Sequence, residues 1–381
     1  MPLSAFSFLS PGEIQFGRGV SKGAAQRVAR QGDRVLLVHG ADKGRVAWLV
    51  DDLGDLTCQV ACFACPKEPD VALIEAGVAA ARACNADVIV ACGGGSVIDT
   101  GKAIAALVPA TRPMLDHLEV VGQGAPLDHA PLPFIAIPTT AGTGAEVTKN
   151  AVIAVPQARR KVSLRDARMV ADVAIVDPAL TDGAPWPVTL ASGLDAVTQV
   201  IEPYVSTKAN PLTDALCRDA IPRGLRALCR LRAGDCPDAR DDLALVSLYG
   251  GLALANAALG AVHGLAGPIG GMASAPHGAV CGRLLPFVLA CNAERATGET
   301  ALRLLQVDGW IADAMGGAPD QAPQTLMAWA QDAGLPGLTE MGVETAELET
   351  LAEAAVASSS MKGNPVPLDV ADLVAVMRDA A

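Results

Sequence analysis

Residues 87–102, DVIVACGGGSVIDTGK, carry an apolar run into three consecutive glycines and then into a segment that reads as a helix over 98–107. A short apolar run bounded by glycine is a buried strand, so the stretch is strand, tight turn and helix. Its turn has the make-up of an anion site. Glycines let the backbone approach a phosphate, and the helix start offers free N–H groups and partial positive charge. Ser96 is a hydroxyl contact or N-cap there, and Asp99 is an acceptor for a ribose or amide group. An ordinary tight turn is the alternative, but three glycines in a row at the carboxyl end of a parallel strand favour phosphate. A P-loop is excluded, because the step from Gly95 to Gly101 is one residue too long and Ala103 follows Lys102. The G-x-G-x-x-G pattern is absent after the first strong strand.

Similar runs lie on both sides of this stretch: RVLLV at 34–38, PFIAI at 133–137 and VAIV at 173–176, with a helical, alanine-rich segment at 72–83. Apolar runs separated by helices indicate a parallel sheet with helices on both faces. After Asp177-Pro178 helical periodicity dominates, as at 214–231, 239–258 and 344–357. The expected fold is an α/β N-terminal domain, residues 1–182, and an all-α C-terminal domain, residues 183–381, with a cleft between them. Residues 137–148, IPTTAGTGAEVT, follow the 133–137 run and pack four hydroxyls and two glycines into one loop. Hydroxyls of this kind donate to phosphate or carboxamide oxygens without adding charge.

The 381 residues suffice for two domains, and 51% hydrophobic with 18% charged residues excludes a disordered or fibrous chain. Aromatics are only 3%, so the core is built from Ala, Val, Leu and Ile. A net charge of -12 argues against nucleic acid as a partner. Residues 1–11 lack the features of a secretory signal, so the ten cysteines read as reduced thiols of a cytoplasmic protein. Cys58, Cys62 and Cys65 have a C-x3-C-x2-C spacing that resembles iron–sulfur enzymes. Residues 57–63 nonetheless read as a strand with Cys58, Val60 and Cys62 on one face. Residues 243–282 carry no formal charge. Their histidines, prolines and glycines suit helices at the centre of the all-α domain rather than a membrane span.

Together these segments resemble the iron-containing (group III) alcohol dehydrogenase family. Residues 93–102 match its GGGSxxD-x-x-K turn and residues 137–146 its IPTTxGTGxE signature. Phe16-Gly17-Arg18-Gly19, Val176-Asp177-Pro178, residues 192–196 (SGLDA), Pro276-His277-Gly278 and Leu284-Leu285-Pro286 follow in the family's order. The resemblance implies a nicotinamide-dependent oxidoreductase acting on a small alcohol, aldehyde or ketone, with residues 1–182 as the dinucleotide-binding domain and residues 183–381 as the metal and substrate domain. It also implies a homo-oligomer, a dimer in this family. Gly94, Gly95, Ser96 and Asp99 would meet the pyrophosphate and nicotinamide end. Thr139, Thr140, Thr143 and Thr148 would line the same groove, Lys161 would reach in from the following hairpin, and Leu180 would sit near the nicotinamide ribose. Members that prefer NAD often carry an Asp after the second strand. Gly40 stands there, with Lys43 and Arg45 close by, which favours NADP(H) over NAD(H). Solvated charges at a helix start are the plain alternative.

Family members hold a divalent metal, Fe or Zn, with an Asp, a His four residues on and two later His. The matching residues are Asp195, Gln199, His263 and His277. Asp195 and Gln199 are i and i+4 on one helix face, but an amide oxygen is a much poorer ligand than imidazole. A further His common in the family is replaced by Gly267. Three readings follow: a metal on Asp195, His263 and His277 with Gln199 as weak ligand or neighbour; a metal-free enzyme; or a repurposed site. A metal would lower the alcohol pKa; without one, a protonated His277 or His263 beside Asp195 would donate to the substrate oxygen. A maleylacetate-reductase-like enzyme and a non-catalytic dinucleotide-binding protein are the alternatives on this scaffold.

Overall fold

The computed structural model of the chain describes residues 5–273 and 275–381. Residues 1–4, where the N-terminal stretch and the first expected domain begin, and Ser274, inside the uncharged stretch, lie outside the described residues. The chain divides into two compact units. One contains Leu9–Thr140 and Ala145–Thr181; the other contains Asp182–Ala381 and takes in the short loop Ala141–Gly144.

The strands of the first unit are β1 (Glu13–Phe16), β2 (Arg34–His39), β3 (Gln59–Ala64), β4 (Val88–Gly93), β5 (Phe134–Pro138), β6 (Asn150–Val155), β7 (Arg160–Arg165) and β8 (Val173–Val176). Six of them form a parallel sheet in the order β1-β8-β5-β4-β2-β3, while β6 and β7 pair as an antiparallel hairpin. Helices α1 (Ala24–Ala29), α2 (Ala47–Asp55), α3 (Val71–Ala83), α4 (Gly95–Leu107) and the short α5 (Met114–His117) fill the connections. Alternate residues of each strand enter opposite cores. Val35, Leu37, Val88 and Val90 pack with Val28, Leu49 and Leu53, whereas Leu36, Val38, Ile89 and Ala91 pack with Ile74, Ile98 and Ile104. Burial on both faces explains why the strands read as unbroken apolar runs. Strand β3 begins two residues later than the cysteine spacing suggested. Cys58 precedes it and packs in the core that holds Leu49, while Cys65 packs in the core that holds Ile104. The two thiols thus lie on opposite faces of the sheet, and all ten cysteines are free.

Strands β2 and β4 are neighbours, with His39 beside Cys92. Strand β3 lies beyond β2, and β5 and β8 lie beyond β4. This is the switch point of an open α/β sheet, where ligands bind beyond the carboxyl ends of the strands. The glycine turn is the β4–α4 connection at that point.

Lys102, the last residue of the glycine motif, has a role the sequence did not disclose. It is only 1% exposed. Its ammonium donates to Ala145 O at 2.6 Å, Thr148 Oγ1 at 2.8 Å, and Thr148 O and Asn150 O at 2.9 Å. Burial pulls its pKa down to about 8, opposed by the charges of Asp99 and Glu146, so the amine stays protonated at neutral pH. One turn earlier on α4, Asp99 Oδ2 accepts from Val152 N at 3.0 Å. Helix α4 is thereby pinned to the end of the threonine loop and to the hairpin.

The second unit is helical among its described residues: α6 (Trp186–Val205), α7 (Pro211–Ala233), α8 (Pro237–Ala257), α9 (Ala261–Met272), α10 (His277–Arg295), α11 (Gly298–Met315), α12 (Ala322–Asp332), α13 (Leu348–Val356) and α14 (Val370–Asp379). The uncharged stretch supplies the second half of α8, all of α9 and the start of α10. Among the described residues no single helix is long and apolar enough to cross a membrane, and α8 and α9 meet at 100°. Helix α10 lies directly on α6. A Cβ on Gly278 would fall 2.4 Å from Ala191 O, and one on Gly282 would fall 2.7 Å from Leu194 Cβ. Only glycine at these positions allows this approach.

Replacing Lys102 by Met keeps the apolar stem and removes four hydrogen bonds from a buried ammonium site. An orphaned buried polar group costs about 1–3 kcal/mol. Lys102→Met should lower unfolding stability by about 3 kcal/mol or more in urea titration; a loss below about 1 kcal/mol would show that the staple is dispensable.

Candidate active site

The residues expected at the cofactor divide into two groups. Gly40 follows β2, Gly94 caps α4, Gly95 and Ser96 open that helix, and Thr139 and Thr140 follow β5. Register places these strand ends side by side, with Gly93 opposite Pro138 and Thr139 N donating to Gly93 O at 2.9 Å. A Cβ on Gly94 would lie 3.3 Å from Thr140 Oγ1, so the glycine and threonine loops touch. Leu180 sits just past β8, packed on the same core as Leu37 and Ile137. The other group is engaged elsewhere. Thr148 is buried and its hydroxyl oxygen accepts from the Lys102 ammonium. Lys161 is paired with Glu68. Asp99 holds Val152 N. Thr143 belongs to the loop Ala141–Gly144, which packs with the helical unit.

The second constellation lies wholly inside the helical unit. Helix α6 carries Asp195, Gln199 and Glu202 on one face, at i, i+4 and i+7. Helix α9 contributes His263, and α10 contributes His277 and, one turn on, Cys281. Asp195 is 1% exposed and Cys281 is fully buried, while the His277 side chain is 34% exposed and marks the side facing solvent. Glu202 Oε2 lies 2.6 Å from His263 Nδ1, and Glu202 Oε1 accepts from Val262 N at 2.8 Å. A carboxylate can only accept, so Nδ1 carries the proton and Nε2 faces inward. There His263 Nε2 is 3.4 Å from Asp195 Oδ1 and 3.7 Å from Cys281 Sγ, and His277 Nε2 is 3.9 Å from Asp195 Oδ1 and 3.7 Å from the same sulfur. Asp195 Oδ1 is buried without a hydrogen-bond partner.

The electrostatics are those of a pocket that wants positive charge. Burial alone would raise the Asp195 pKa, but His263 and His277 beside it hold it below its ordinary value. Burial disfavours the imidazolium of His263, yet Cys281, Glu202 and Asp195 outweigh that and hold its pKa well above the usual value. The same Cys281 sulfur and Asp195 push His277 up to about 9 against desolvation. The buried carboxylates must be balanced either by protonated imidazoles or by a cation. Donor atoms of Asp195, His263, His277 and Cys281 all lie within 4.8 Å of one another, a spacing that fits one metal ion.

Gln199, the expected second ligand, hydrogen-bonds to Asp195 instead of standing free as a donor. Its amide Nε2 donates to Gly142 O at 3.2 Å, tying α6 to the loop Ala141–Gly144. Sequence reasoning missed Glu202 and Cys281. Both stand at helical spacing from residues it had found, seven after Asp195 and four after His277, and that periodicity was the available signal. A carboxylate that orients a ligating imidazole typically accounts for about 10–100-fold in metal affinity. Glu202→Gln should therefore weaken zinc binding by about 10–100-fold in chelator competition; wild-type affinity would mean that Glu202 does not orient His263.

Comparison with known proteins gives matches over the whole length of the chain. Residues 11–178 match the model of the iron-containing alcohol dehydrogenase family, and residues 189–381 match that family's C-terminal model. Lactaldehyde reductase of Escherichia coli is 34% identical over 375 residues, covering 96% of this chain and 97% of that protein. The NAD-dependent methanol dehydrogenase of Bacillus methanolicus is 32% identical, covering 98% of this chain and 99% of that one. Among solved structures, a 1,3-propanediol oxidoreductase superposes with a TM-score of 0.89 at 30% identity, covering 99% of this chain and 100% of that one. The parallel-sheet unit, the helical unit and these matches over the whole length lead to one assignment: the chain belongs to the iron-containing alcohol dehydrogenase family, oxidoreductases that act on alcohols and aldehydes.

Proposed function

We propose that this protein is a metal-dependent oxidoreductase that interconverts a short-chain alcohol and its aldehyde with NADP(H), and with NAD(H) as the weaker partner. The observation that carries the reading is the buried, unpartnered Asp195 Oδ1 facing two imidazole nitrogens, since such an oxygen needs a cation. When bound, the nicotinamide supplies the hydride chemistry and a divalent metal the Lewis acidity that stabilises an alkoxide.

The chain's own residues provide the rest. Backbone N–H groups of Gly95 and Ser96 at the start of α4 bind the pyrophosphate, with Gly94 leaving room for close approach. Asp195, His263 and His277 hold the cation, and Glu202 fixes the tautomer and orientation of His263. The apolar packing around Asp195 and Cys281 excludes water and keeps these electrostatic interactions strong. His277, the donor that reaches solvent, lies on the side from which substrate enters. Short-chain substrates are favoured by analogy with the lactaldehyde, methanol and propanediol enzymes among the relatives.

Cofactor choice rests on charge at the end of β2. Gly40 offers no carboxylate to pair with ribose hydroxyls or repel a 2′-phosphate, while Lys43 and Arg45 are exposed a few residues on. Asp42, the acid just before them, accepts from Gly44 N at 2.8 Å. A Cβ on Gly40 meets nothing within 4 Å, so a side chain fits there. The wild-type protein should reduce lactaldehyde or a similar short aldehyde faster with NADPH than with NADH, and lose the activity on metal removal. Gly40→Asp should swing the ratio of kcat/KM toward NADH by about tenfold or more, equivalent to about 1.4 kcal/mol. No oxidation of either nicotinamide across short aldehydes by the metal-loaded protein would overturn the assignment.

A further inference from the structure

We propose that Cys281 is the fourth metal ligand, replacing position 199, so that the donor set is Asp195, His263, His277 and Cys281 and favours zinc over iron(II). This inference rests on the reading that the pocket holds a divalent cation. Four observations converge on it.

Gln199 is already committed: its amide nitrogen donates to Gly142 O at 3.2 Å and its side chain also hydrogen-bonds to Asp195. Cys281 is fully buried, yet its sulfur lies 3.7 Å from both inward-facing imidazole nitrogens instead of among apolar atoms alone. Distances between donors suit a shared ion. Bond lengths of about 2.0 Å to N and O and about 2.3 Å to S in a tetrahedron put the donors about 3.3–3.6 Å apart, and the four separations given above run from 3.4 to 3.9 Å. Finally, Gly278 and Gly282 bring the first turns of α10 against α6, and His277 and Cys281 immediately precede these two glycines. The contact that seats the last two donors against Asp195 is therefore built into the helix pair.

The chemical consequence follows from ligand softness. Exchanging a fourth, poor amide ligand for a thiolate moves the set toward the Cys, His and carboxylate donors that zinc takes, while Asp195 keeps the site anionic. Binding releases the thiol proton, since the thiolate is the ligand. The exposed side of His277 is where a further oxygen ligand joins. Gln199 is then a positioning residue that holds the loop Ala141–Gly144 on α6.

The test is spectroscopic and needs no turnover. Full-length apoprotein is loaded with cobalt(II) as a stand-in for zinc. The wild type should show a thiolate-to-cobalt charge-transfer band in the near ultraviolet, and that band should vanish in Cys281→Ser, which leaves the other nine cysteines in place. Zinc affinity of Cys281→Ser should fall by more than the roughly 10–100-fold expected for loss of an outer partner. The double variant Cys281→Ser/Gln199→His should recover affinity without recovering the band. Offered equal zinc and iron(II) without oxygen, the wild type should retain a larger excess of zinc over iron(II) than the double variant does. Cobalt bound by the wild type without a thiolate band overturns the ligand assignment and leaves the metal reading standing. Failure of the wild type to bind zinc or cobalt overturns both.

Discussion

The Asp195 carboxylate imposes the severest demand in the helical unit. It is buried at 1% exposure with Oδ1 unpartnered, and an ionised group in that setting costs several kcal/mol unless positive charge meets it. The surrounding architecture meets that demand. Helix α10 approaches α6 closely enough to bring His277 and Cys281 alongside only because Gly278 and Gly282 have no side chains. Helix α9 presents His263 with its Nδ1 taken by Glu202, which leaves Nε2 for the pocket. Three helices thus converge on one unsatisfied oxygen, and the chemistry of the unit follows from how that oxygen is neutralised.

The α/β unit contains a comparable device with the opposite sign. Lys102 places a buried ammonium among four oxygen acceptors from Ala145 to Asn150. It thereby fixes the backbone that follows the threonine loop, about two turns along α4 from the glycine turn. The lysine of the glycine motif thus shapes the loop that borders the anion site. Asp99 serves the same end by receiving Val152 N. The motif GGGSxxD-x-x-K divides into two layers, glycines and Ser96, which the proposed function gives to the ligand, and Asp99 with Lys102, which hold the scaffold behind them.

These two layers explain what the sequence made legible. Runs such as RVLLV and DVIVA were visible because strands buried on both faces are apolar at every position. The glycine turn was visible because a backbone that approaches a phosphate needs glycine whatever surrounds it. Gly40, Gly94 and Thr140 could be placed on one edge of the sheet because parallel topology aligns the carboxyl ends of β2, β4 and β5. What stayed hidden depends on contacts between elements remote in sequence. The acceptors of Lys102 lie 43 to 48 residues away, and Glu202 meets His263 across 61 residues. Position 199 matched a ligand by spacing, but its amide is taken up by Gly142 O and Asp195. Cys281 looked like one of ten scattered thiols, and only the α6–α10 contact sets it apart.

The account stands or falls on whether this pocket holds a cation. The most direct measurement is an anomalous-difference map from crystals of the protein as purified, recorded above the zinc and iron absorption edges. The account predicts a single strong peak bounded by Asp195 Oδ1, His263 Nε2, His277 Nε2 and Cys281 Sγ. Full-occupancy side chains around a peak-free pocket, in protein grown with zinc and iron in excess, would contradict it and would leave protonated imidazoles as the charges that neutralise Asp195.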